Sequence, residues 1–125
     1  MKIKMAERHL RFLGSLPLCG TTMMQMTLVR TAAALGTLLN RKVPASELKE
    51  ESYNYYELDE KTIFYLIFHD RGEADNMEDV AHNFARYCGG GMDIIESMVN
   101  DMDGERLSLD EILDIIDEYI ARNTR

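Results

Sequence analysis

The chain has 125 residues, 46% of them hydrophobic and 29% charged, and a formal net charge of −8. That length fits one domain (residues 1–125) able to close a core without disulfide or metal staples, and the hydrophobic share excludes wholesale disorder. Twenty-two acids against fourteen bases disfavour a protein that grips nucleic acid through its phosphates, so no direct nucleic-acid partner is expected.

Residues 3–13 read as a basic amphipathic helix, with Ile3, Ala6, Leu10 and Leu13 on one face and Lys4, Arg8 and Arg11 on the others. Lys2, Lys4, Arg8 and Arg11 ahead of the apolar stretch 12–18 do not make a signal peptide. That run is short, contains Pro17 and follows Glu7, and Leu18 stands where a lipoprotein-type cleavage before Cys19 needs a small residue. Gly14, Pro17 and Gly20 then break the chain, and Thr21 or Thr22 can cap a second helix. It ends at Asn40-Arg41-Lys42, where cations suit the negative end of a helix dipole.

The stretch 21–40 has the length of a membrane span, but five threonines and Gln25 dilute it. Arg30 lies near its centre, where insertion costs roughly 2.5–3.5 kcal/mol. A helix surrounded by the rest of the domain is the better reading, and no membrane span is expected. Met23, Met24 and Met26 at its start read as core filler rather than as an adaptable binding surface.

Pro44 followed by Ser46 is expected to start a short helix through Glu51. Tyr53–Asp70 leaves two readings open. Ile63 to Phe68 is rich in β-formers and can pair with Tyr53–Leu58 as a small β-hairpin around Asp59-Glu60-Lys61. Against this, acids at Glu57, Asp59 and Glu60, cations at His69 and Arg71, then Gly72 follow the order a helix prefers.

Asn76 caps a predicted helix to Cys88 with Met77, Val80, Phe84 and Tyr87 inward, and Gly89-Gly90-Gly91 is expected to stop it. A separate short helix spans 92–100, and Asp101 to Gly104 turns the chain. Ser108-Leu109-Asp110-Glu111 is a capping box. The last helix turns Leu109, Ile112, Leu113, Ile116, Tyr119 and Ile120 to one side and Asp110, Asp114, Asp117 and Glu118 to the other. The predicted fold class is therefore mainly α, a compact bundle of five or six helices, with a hairpin at 53–70 as the one variant.

The net charge averages two opposites. Residues 1–49 hold eight bases and two acids, for +6, whereas residues 50–125 hold six bases and twenty acids, for −14. Such asymmetry points to contacts. One arrangement folds the basic N-terminal helices onto the acidic C-terminal half and offsets self-repulsion. Alternatively, the acidic helices dock a basic partner or mimic a phosphate backbone. An N-terminal arm on RNA or an anionic membrane is the weakest option, because four bases without interleaved aromatics hold little.

Motifs that name a reaction are absent: there is no phosphate loop, no GxSxG, and no cysteine in a nucleophile-type setting. Cys19 and Cys88 lack CxxC or Cys/His spacing, which suits buried thiols in a reducing cytoplasm. Glu78 and Asp79 share a helix face with His82, but a single such motif reads as a surface acid–histidine pair rather than a metal site.

The stretch 92–119, with Asp101-Met102-Asp103-Gly104-Glu105 between an apolar helix and Leu107-Ser108-Leu109-Asp110-Glu111-Ile112, resembles an EF-hand. That resemblance implies calcium held by Asp101, Asp103 and Glu105 and closed by Glu111, since calcium takes hard oxygen ligands. Two positions depart from the pattern. The loop from Asp101 to Glu111 has eleven residues rather than about twelve, and Arg106 stands at the turn glycine. Phe68-His69-Asp70-Arg71-Gly72 is similar to a second copy but lacks the ligands.

The functional expectation is a non-enzymatic acidic protein-binding module, an adaptor, small chaperone or inhibitor that meets a basic protein surface through Asp110, Glu111, Asp114, Asp117 and Glu118. No cofactor is implied on that reading. The alternatives are a calcium-responsive regulator and a small enzyme whose site assembles only in space.

Overall fold

At the centre of the fold lie two long helices, α2 (Thr22–Leu39) and α5 (Met77–Asp101), whose mutual contact is the most extensive in the molecule. They belong to a computed structural model that describes residues 1–16, 22–101 and 108–123. The other elements are β1 (Lys2–Met5), α1 (Glu7–Ser15), β2 (Glu50–Asn54), α3 (Tyr55–Leu58), α4 (Ile63–Asp70) and α6 (Leu109–Asn123), with a 3-10 turn at Ala45–Glu47. Among the described residues the architecture is mainly helical, with six helices and a two-stranded antiparallel sheet. Among the described residues no helix is long and apolar enough to cross a membrane.

The first element departs from the expected helix over 3–13. Lys2-Ile3-Lys4-Met5 alternates polar and apolar residues with the period of a strand, and Ile3 and Met5 are buried while the lysines are exposed. Local sequence does not separate that alternation from the first turn of a helix. The partner strand does, and it lies some fifty residues away: Lys4 pairs with Glu51 and Met5 with Glu50. Helix starts only at Glu7, and His9, Phe12 and Leu13 face inward.

β2 also displaces the short helix expected through Glu51, of which only the 3-10 turn at Ala45–Glu47 forms. The segment 53–70 is not a hairpin, because β2 is engaged by β1 and Ile63–Asp70 is helical. Thr62 ahead of α4 is left-handed, with φ 54°, which is costly for a β-branched residue. Its side chain does not cap the helix, and Asp59 does so instead. The Asp59 carboxylate accepts the Phe64 and Tyr65 N–H groups at 3.3 and 3.4 Å, and the Tyr55 hydroxyl donates to it as well. Burial and then Asp59 raise the Tyr55 pKa well above its usual value, so the hydroxyl stays protonated as a donor. Of the aromatic residues that suggested a strand, Phe64 instead packs edge-on to Phe84, ring centres 4.8 Å apart, and Phe68 stacks on Tyr87 at 5.4 Å.

The largest departure is at Gly89-Gly90-Gly91. No break occurs there, and α5 runs unbroken for 25 residues, about 37 Å. Each mid-helix glycine costs roughly 0.5–1 kcal/mol relative to alanine. The compensation is closeness. A Cβ on Gly90 would lie 2.1 Å from the Arg41 carbonyl oxygen, and one on Gly36 of α2 would lie 2.0 Å from the Tyr87 carbonyl oxygen. Asn40, left-handed at φ 53°, ends α2, and the Val43 N–H then bonds the Arg86 carbonyl at 3.1 Å.

Leu28, Val29, Ala32, Ala33 and Leu35 of α2 are buried, as a surrounded helix requires. Of the methionine cluster, Met26 packs on the core and Met24 is exposed, while the Met23 side chain lies outside the described residues.

Candidate functional site

The sequence placed its main candidate on α6, and the helix forms as its local signals require. Ser108 Oγ accepts the Glu111 N–H at 3.2 Å, and the Glu111 carboxylate accepts the Ser108 N–H at 3.4 Å. Ile112 and Ile116 are buried, with Leu109, Leu113, Tyr119 and Ile120 packed beside them. The seam orients the opposite side outward. Asp110, Glu111, Asp114, Asp117 and Glu118 are all exposed.

None of Asp110, Asp114, Asp117 and Glu118 has a cation within ion-pair distance among the described residues. Asp110 and Asp114, and Asp114 and Glu118, are like charges at i,i+4 spacing, an arrangement that destabilises an isolated helix. Asp110 and Glu111 recover part of this at the positive end of the helix dipole, but Asp117 and Glu118 do not.

The basic half does not neutralise this face. α1 and α2 do pack on α5, and α2 also meets α6. Among the described residues, however, the contacts between basic and acidic side chains linking 1–49 to 50–125 converge on the single residue Asp93, an ion pair from Arg8 and a hydrogen bond with His9. Arg8 also pairs with Glu47, and Arg11 with Glu7, both within the basic half.

That Arg8–His9–Asp93–Glu47 cluster is the feature sequence reasoning missed. The His9 ring is fully buried, with Nε2 2.7 Å from Asp93 Oδ1, while its Nδ1 is buried without a hydrogen-bond partner among the described residues. Arg8 forks between Asp93 and Glu47, and Glu47 chiefly, then Asp93, raise its pKa further. Burial alone would push the Asp93 carboxyl up, but the hydrogen bonds from His9 and Arg8 outweigh it and hold the pKa below the usual value. His9 and Asp93 are 84 residues apart, and nothing in the sequence pairs them.

The remaining candidates do not converge. His82 and Glu78 are exposed on α5, and the Asp79 carboxylate accepts the Asp75 N–H at 3.2 Å inside the helix cap. His69 is exposed and stacks on Tyr65, with ring centres 5.7 Å apart. Among the described residues no three His, Cys, Asp or Glu side chains are grouped to hold a metal ion. Asp101 is the exposed last residue of α5 and Glu111 serves the capping box, whereas Asp103, Glu105 and Arg106 of the EF-hand-like loop lie outside the described residues.

Cys88 is fully buried, and burial pushes its thiol up to about 12, far from a nucleophile's range. Cys19 lies outside the described residues. Comparison with protein-family models, with curated proteins and with solved structures finds no match to this chain.

Proposed function

We propose that this protein is a non-enzymatic acidic binding module that docks a basic protein surface through the outer face of α6. The observation that carries the reading is the stripe Asp110, Asp114, Asp117 and Glu118, which no cation pairs among the described residues. These acids stand on a helix whose seam is otherwise fully used, and they repel one another until a cationic surface meets them. A docked partner would thus relieve a strain that folding leaves in place. The net charge of −8 adds long-range steering toward basic partners. An adaptor, a small chaperone or an inhibitor all use such a face, and an inhibitor that mimics a phosphate backbone is the most specific form of it. The free, buried Cys88 supports a cytoplasmic setting.

The test is capture of partners from native lysate with the wild-type protein and with Asp110→Asn, Asp114→Asn, Asp117→Asn and Glu118→Gln combined. The captured partner is then titrated directly at low and high salt. Binding is expected to fall at least about tenfold in the variant, with a flatter salt dependence. Unchanged affinity and salt slope in a variant that remains folded would remove the reading.

A further inference from the structure

A groove of about 640 Å3 runs between β1 and the first half of α5. Lys2 and Lys4 flank it on the strand side, with Glu78, Ala81, His82 and Ala85 on the helix side. Ala45 and Leu48, ahead of β2, line it as well, but no residue of β2 itself does, as expected where the bordering edge of β1 is the one turned away from β2.

The backbone says what this edge offers. The Met1 carbonyl accepts from the Tyr55 N–H at 2.8 Å, and the Ile3 carbonyl accepts from the Ser52 hydroxyl at 3.3 Å, both on the β2 side. Successive residues of a strand aim their N–H and C=O at opposite edges, so those of Lys2 and Lys4 point away from β2. The irregularity between Lys2↔Asn54 and Lys4↔Glu51 places its extra residue on β2, so the alternation along β1 is preserved. Among the described residues no strand pairs with this edge.

An open edge beside a helix accepts an extended chain through its main-chain groups. The side chains of this chain set the chemistry of the occupant. Lys2 and Lys4 are exposed on one face of the strand, and neither is within ion-pair distance of an acid among the described residues. A second copy pairing edge to edge would set lysines against lysines, which is destabilising. Below the strand, Ala81 and Ala85 line the groove's floor and are themselves buried in the core. The groove's acid, Glu78, is outnumbered by the two lysines.

We infer that this groove binds an extended peptide segment that adds to β1 as a third strand. Acidic residues at every second position face Lys2 and Lys4, and small apolar residues between them share the inward face of Ile3. The site is separate from the acidic face of α6 and opposite to it in charge.

The test is titration of the isotope-labelled protein with the capped peptide Glu-Val-Glu-Val-Glu, followed by amide NMR. Shifts are expected at Lys2, Lys4, Ala81 and Ala85, with slowed hydrogen exchange at the Lys2 and Lys4 amides. Lys2→Glu with Lys4→Glu, two exposed positions, weakens binding roughly tenfold. Lys4→Pro removes an outward N–H while sparing the β1–β2 ladder, and it also weakens binding. Circular dichroism confirms that each variant is folded. The capped peptides Lys-Val-Lys-Val-Lys and Glu-Pro-Glu-Pro-Glu are expected not to bind. Shifts confined to other residues, equal binding of the proline peptide, or no shift at saturating peptide each overturn the inference. Shifts that follow protein concentration without peptide also overturn it, because they assign the edge to a second copy.

Discussion

Gly91 of α5 lies against the backbone of Ala32 in α2, so close that a Cβ at position 91 would be 1.8 Å from the Ala32 carbonyl oxygen. No rotamer relieves that contact, because the obstacle is main chain. Gly91→Ala must part the two helices, and it is expected to cost about 1–3 kcal/mol or more. Gly14 of α1 is the counter-case: it is exposed, and nothing lies within 4 Å of its Cβ position. There Gly14→Ala is expected to stabilise by up to about 0.5–1 kcal/mol through helix propensity alone. Urea unfolding of the two variants checks the opposite signs.

Asp93 is the point where α1 is tied to α5, by an ion pair from Arg8 and a hydrogen bond with the buried His9. Asp93→Asn keeps the shape but removes the charge, and is expected to destabilise by about 1–2 kcal/mol, given that the site is partly open to solvent. The sign of the pH dependence follows from its lowered pKa. A carboxyl depressed in the folded state contributes stability above its unfolded value of about 3.9, and loses that contribution as pH falls through the folded value. The wild-type advantage over the Asn variant should therefore be present at neutral pH and fade in acid below about pH 4. Unfolding curves across that range, recorded for both proteins, decide it; an advantage that persists in strong acid would mean the charge is not its source.

Cys88 predicts a chemical silence. Its sulfur is fully buried, 3.7 Å from the Val29 carbonyl oxygen, and burial holds the thiol near 12, so almost no thiolate exists at neutral pH. In a Cys19→Ser background, a thiol-specific disulfide reagent is expected to label the native protein only as fast as it opens, and to label the urea-unfolded chain promptly. Fast native labelling would contradict the burial.

Sequence alone determined the elements whose signals are local. The Ser108–Glu111 capping box forms as read, and so does the Asn76 cap, whose side chain accepts the Asp79 N–H at 2.9 Å. The apolar periodicity of α6 also placed its acids outward, because a helix with one buried stripe has only one way to face. Tertiary structure decided the rest. Whether Lys2–Met5 is strand or helix depends on Glu50–Asn54, and whether Gly89–Gly91 is a stop or a contact surface depends on the backbone of α2. His9 and Asp93 meet only because α1 packs on α5. Caps and periodicity act within a few residues of their origin. Strand pairing, close helix approach and buried polar contacts instead draw their free energy from partners far along the chain, which only the folded molecule brings together.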